Sequence, residues 1–122
     1  MIETEKCVIT ILENGIIRLE TKENVTLNEN DLIEIENFYT KKLKVEDGLF
    51  LIVFSKGLRG DKTTKKRFVE ERRQNLKKAE AIVMNNIDHK IEASFYLKQK
   101  KANHPIKTFD NEKDAIFWLL LH

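Results

Sequence analysis

Three histidines, one cysteine and twenty carboxylates are the side chains with which this 122-residue chain could run acid–base, nucleophilic or metal chemistry. Catalysis by such groups needs a convergent nucleophile, base and orienting partner, or a set of metal ligands at ligand spacing. His89 falls in the first turn of an expected helix, His104 sits beside Pro105 in a loop, and His122 ends the sequence. No two of them are spaced as zinc ligands are. Cys7 lies on an expected strand, away from any helix N-terminus that would lower its pKa, and reads as a small buried hydrophobe. With a single cysteine there is no intrachain disulfide and no thiolate cluster. The carboxylates are scattered through a chain that is 34% charged, which is the composition of a solvated surface and not of an acid pair. The residues point to no catalytic set, no metal and no cofactor.

Three other features carry possible binding. Gly57-Leu58-Arg59-Gly60 follows an apolar strand, the right place for an anion-contact loop. It lacks the spacing and the terminal lysine of a phosphate-binding loop. Residues 56–78 hold 10 basic and 3 acidic side chains, against 6 basic and 11 acidic in residues 1–47. On a helix, Lys62, Lys66, Arg73 and Lys77 fall broadly on one side. Without interleaved aromatics or a nucleic-acid-binding motif, a solvated or protein-contacting surface is the better reading than nucleic acid. The third feature is the C-terminal segment, where Phe117, Leu120 and Leu121 extend the apolar stripe of Ala115, Trp118 and Leu119. A helix apolar nearly all round cannot bury every face against one sheet. Either it packs on a second subunit, or a groove between helix and sheet is lined by these side chains. A two-fold dimer is the simpler of the two.

The elements that must position these residues alternate. Cys7–Leu12 and Ile16–Glu20 flank Asn14-Gly15, whose tolerance of positive φ predicts an antiparallel hairpin. Asn28 caps a helix with Asp31 at its third position, and Leu32, Ile35, Phe38, Tyr39 and Leu43 form its buried stripe. Leu49–Phe54 is apolar without alternation, as a central parallel strand is. A charged helix from Thr63 or Thr64 to about Asn75 leads to a strand, Ala79–Met84. A third helix follows from Asp88, then a strand at Ile106–Phe109, and a last helix capped by Asp110 in which Trp118 is buried. The expectation is one α/β domain over residues 1–122, a five-stranded mixed sheet in the order β-β-α-β-α-β-α-β-α with an N-terminal hairpin. A chain of this length buries roughly two thirds of its extended surface without staples. The acidic start Met1-Ile2-Glu3-Thr4-Glu5 is unlike a signal peptide, and no apolar run is long enough to span a bilayer, so a cytoplasmic location is expected.

The hairpin with its Asn14-Gly15 turn, the apolar strand Leu49–Phe54, the strand Ala79–Met84 with polar Asn85-Asn86 after it, and the ending Phe109-Asp110-Asn111 to Ala115, Trp118 and Leu119 together resemble the STAS fold of anti-sigma-factor antagonists. More closely they resemble small bacterial STAS/SEC14-like domains of unknown function. The resemblance implies a non-enzymatic interaction or regulatory module with a protein partner. It also implies that Asp61, Thr63 and Thr64 occupy the place where the antagonists carry a phosphorylatable serine after a short aspartate–serine motif. That serine is absent here. A phosphate on either threonine would sit at a helix N-terminus near Lys65, Lys66 and Arg67, while simple helix capping explains a threonine there equally well. The SEC14-like side of the resemblance implies the alternative, an apolar small molecule or lipid held by the C-terminal helix.

Overall fold

The N-terminal third folds as the turn chemistry dictates. In the computed structural model, which describes residues 1–60, 76–84 and 104–122, strand β2 (Cys7–Ile11) pairs antiparallel with β3 (Ile17–Thr21). Gly15 adopts φ 84° in the connecting turn, which is closed by Leu12 N–H donating to the Ile16 carbonyl at 2.8 Å. The two-residue strand β1 (Ile2–Glu3) adds antiparallel to β2.

A second two-residue strand, β4 (Thr26–Leu27), leads into helix α1 (Glu29–Asn37). Asn28 caps α1 with a full capping box: its side chain accepts from Asp31 N–H at 3.0 Å, and Asp31 Oδ2 accepts from Asn28 N–H at 2.8 Å. Lys6 Nζ reaches the same carboxylate at 2.8 Å, tying the first turn of α1 to the hairpin. The helix then widens into a π-helical turn over Phe38–Lys42, where Leu43 N–H donates five residues back to Phe38. Thr40 turns its hydroxyl to the Glu36 carbonyl at 3.0 Å there. Strand β5 (Gly48–Val53) follows, then β6 (Arg59–Gly60), β7 (Lys77–Val83) and β8 (Ile106–Phe109). The C-terminal helix spans Glu112–Leu119. Its cap is Asn111, which accepts from Asp114 N–H at 2.9 Å, and not Asp110.

The expected five-stranded single sheet with four helices is overturned. Among the described residues, eight strands form two sheets, a six-stranded one in the order β1-β2-β3-β5-β7-β8 and a two-stranded β4-β6 ribbon, alongside two α-helices. The three extra strands, β1, β4 and β6, have two residues each, too few for any hydrophobic period to register. The helices expected from Thr63 or Thr64 to Asn75 and from Asp88 onward lie outside the described residues. From β3 through β8 the pairing is parallel. Side chains alternate across this sheet. Ile17, Leu19, Phe50, Ile52, Ile82 and Met84 join Ile35 and Tyr39 in one cluster, while Leu51, Ala79, Ala81 and Val83 join Ala115 and Leu119 in the other.

Candidate functional site

The glycine loop is fixed by backbone pairing. Gly57 has φ 77°, and a Cβ there would collide with the Asn24 side chain. Asn24, itself at φ 57°, donates its N–H to the Lys56 carbonyl at 2.9 Å, and Arg59 N–H donates to Val25 at 3.0 Å. Gly60 then pairs with Leu27 in the β4-β6 ribbon. These contacts make Gly57 part of a clasp between the loop after β5 and the entry to α1, with Gly60 at the ribbon that follows it. Asp61, Thr63 and Thr64, together with Lys62, Lys66 and Arg73, lie outside the described residues.

Lys77 was expected on an exposed basic stripe and instead turns inward. Between Gly48 and Leu49 the β5–β7 register skips from Lys77 to Ala79, leaving Lys78 as an extra residue. In an unbroken strand, residues three apart point to opposite faces; one inserted residue returns Lys77 to the face of Glu80. Lys77 Nζ stands 2.8 Å from Glu80 Oε2 and 5.2 Å from the Phe50 ring centroid. The other Glu80 oxygen lies 3.3 Å from His104 Nε2, with the two side chains only 3% and 2% exposed. Tyr39, in the π-helical turn, stacks edge-on against Phe50 at 4.8 Å. Burial pushes its phenol pKa upward, and the charge of Glu80 adds to the shift. Tyr39 Oη and His104 Nδ1 are buried without a hydrogen-bond partner among the described residues.

A carboxylate that orients an imidazole is a fragment of many catalytic sites, but this one is sealed. The Glu80 and His104 side chains are 3% and 2% exposed, and the Lys77 ammonium balances the carboxylate's charge inside the sheet. Sequence reasoning placed His104 in a loop, and its neighbour Pro105 does lie outside a strand. The signal that could have found the cluster is the lone glutamate within Ala79–Met84, an apolar strand where a carboxylate demands a partner. Among the described residues, no group of three or more histidine, cysteine or acidic side chains is placed to hold a metal ion. Cys7 is buried, and desolvation pushes its thiol up to about 11, far from a reactive thiolate.

The C-terminal helix carries the exposed apolar surface. Ala115 and Leu119 meet the sheet and are fully buried, whereas Phe117, Leu120 and Leu121 are 69%, 53% and 70% exposed. Trp118, expected to be buried, flanks the contact: it is half-buried, 5.6 Å from the Phe109 ring and 4.5 Å from the His122 ring. Phe117, Leu120 and Leu121 stand outside the contact that Ala115 and Leu119 make with the sheet. Arg18 anchors the start of the helix through a two-pronged contact with Glu112, at 2.7 and 3.1 Å, and also reaches Glu20 at 2.9 Å. The guanidinium holds the Glu112 carboxyl below the usual carboxylate range. Among the described residues, no helix is long and apolar enough to cross a membrane.

Residues 10–122 match a family described as "Domain of unknown function (DUF7793)". No curated protein matches the chain. Among solved structures, an uncharacterised protein of the DUF3478 family from Shewanella loihica PV-4, described as having a SpoIIAA-like fold, aligns with a TM-score of 0.60 over 98% of both chains at 14% identity. A protein of unknown function from Arthrobacter sp. FB24 aligns at 18% identity over 100% of this chain and 98% of its own, with a TM-score of 0.36. The first likeness shows the fold: SpoIIAA-like, the STAS type that the strand and helix order resembled.

Proposed function

The chain belongs to the DUF7793 family of unknown function, and we propose that it is a non-enzymatic interaction or regulatory module acting in the cytoplasm as one unit over residues 1–122. The observation that carries this reading is the exposed apolar side chains at the end of the C-terminal helix, Phe117 within it and Leu120 and Leu121 just past it. Grouped exposed hydrophobes of this size mark contact surfaces more often than isolated ones do. The ionisable cluster that could have suggested an enzyme is sealed and compensated, which supports the same reading. The partner is a protein that covers this face. Asp61, Thr63 and Thr64, which lie outside the described residues, supply the regulatory side of the proposal.

The test compares the full chain with a Phe117→Ser, Leu121→Ser variant as baits in lysate of the native host. Light scattering runs in parallel to detect a dimer formed through the same face. A specific protein recovered by the native chain and lost by the variant, with unchanged circular dichroism, is the expected result. Equal recovery by both, or a bait that captures nothing and remains monomeric, overturns it.

A further inference from the structure

Strand β8 is the last strand of the six-stranded sheet, and among the described residues no strand lies beyond it. Its register with β7 runs from Glu80↔Ile106 to Val83↔Phe109, in parallel. Two flanking bonds fix which backbone groups face β7: Glu80 N–H donates to the Pro105 carbonyl at 3.0 Å, and Met84 N–H to the Phe109 carbonyl at 3.1 Å. Strand alternation therefore points the peptide groups of Lys107 and Phe109 toward β7 and those of Ile106 and Thr108 away from it. Two N–H and two C=O groups stand along the outer edge. The Lys107 side chain is exposed, with its ammonium 5.5 Å from the Phe109 ring, on the face shared with the C-terminal helix.

An unpaired edge of this kind is a template for another strand. We propose that β8 accepts an extended segment of another protein, running antiparallel, with a carboxylate opposite Lys107. In this arrangement the outward groups of Ile106 and Thr108 form the hydrogen-bonded pairs, and Lys107 occupies the intervening non-hydrogen-bonded pair, where side chains come closest. The same geometry disfavours a second copy of this chain. The self-register that uses both outward residues, Ile106 against Thr108 of the other copy, sets Lys107 directly against Lys107, and like charges so placed repel. Shifting that register by two residues leaves only one hydrogen-bonded pair within the strand. Lys107 thus disfavours the self-pair and favours an acidic strand. The inference stands on the sheet edge alone, independently of any partner on the C-terminal helix.

The probes are two short peptides of alternating valine and threonine, one with a central glutamate and one with a central lysine. Binding is followed by amide hydrogen exchange at Ile106 and Thr108 of the full chain. The glutamate peptide should protect both amides and bind about fivefold more tightly than the lysine peptide, as expected for exchanging an attractive for a repulsive cross-strand pair. Lys107→Glu should invert that preference. Thr108→Pro removes an outward N–H without removing a bond to β7, and it should abolish protection at Ile106. If that variant fails to fold, the charge inversion still decides. Phe117→Ser with Leu121→Ser should leave peptide binding unchanged. No protection at the two amides, or the same preference before and after Lys107→Glu, overturns the proposal.

Discussion

Strand β7 presents two faces built on opposite terms. Toward α1 it carries Glu80 and Ile82, with Met84 just past its end, large side chains that pack with Phe50 and Tyr39 around a buried charge. Toward the C-terminal helix it carries Ala79, Ala81 and Val83, small side chains against which Ala115 and Leu119 rest. The bulky face contains the ions, and the small face leaves Phe117, Leu120 and Leu121 in solvent. Hydrophobicity alone predicts neither. A short helix on an alanine floor contacts it through one narrow stripe, so its remaining apolar residues must look outward. On the other side, one inserted residue swings a lysine onto the face of a glutamate and makes a charge tolerable inside the sheet. A buried polar group and an exposed apolar patch are the informative departures from an ordinary globule. Here the first is structural and the second is the binding candidate.

The sharpest way to break this contrast is to remove the central carboxylate. Glu80→Ala would remove the carboxylate that both Lys77 and His104 contact and leave a cavity in its place, and a buried pair cut on one side costs about 3–5 kcal/mol. Urea denaturation should show a loss of that size. A loss below about 1 kcal/mol would mean that water reaches the cluster and that the bulky face is not sealed.

On the opposite face, the two apolar neighbours should separate in the unexpected order. Leu119 is fully buried and Trp118 only partly so, hence Leu119→Ala should cost about 3 kcal/mol and Trp118→Ala about 2. The reverse order in chemical melts would place the tryptophan, and not Leu119, at the helix–sheet contact. Sequence reasoning put Trp118 and Leu119 on one buried stripe with Ala115, but periodicity alone does not fix which edge of that stripe faces an alanine floor. What periodicity and turn chemistry could reach was reached: the Asn14-Gly15 hairpin, the Asn28 cap, the apolar central strand and the Ile106–Phe109 strand all lie where the residues put them. Two-residue strands carry no period, so β1, β4 and β6 were invisible. The register slip at Lys78 depends on pairing with β5, which no local pattern encodes, and with it the inward turn of Lys77 was lost.

A smaller effect tests how the C-terminal helix is held to the sheet. Arg18 grips Glu112 with two bonds, yet the carboxylate is partly exposed, so Glu112→Gln should cost only about 0.5–1 kcal/mol at neutral pH. Because the folded carboxyl lies below its ordinary value of 4.5, this contribution is fully present above that value and is lost as pH falls through the folded one. The gap between native chain and variant should therefore close on acidification below pH 4.5. A gap that stays constant with pH would assign the loss to packing and not to the ion pair.

The smallest expected change in stability belongs to the surface that matters most for binding. Phe117 lies in the C-terminal helix and Leu121 just past its end, each about 70% exposed, so together they contribute little to the fold. Replacing both with serine removes apolar area that is already in water in the free chain, and stability should move by no more than about 0.5 kcal/mol. The comparison sharpens if the measurement is repeated across protein concentration. For a monomer the small difference is independent of concentration. If two copies cover this face in solution, the native chain gains stability with concentration and the variant does not, because only the native chain has a folded associate to populate. A loss above about 1.5 kcal/mol in dilute monomer would instead show that these side chains fold inward, leaving the C-terminal helix without an outward apolar face.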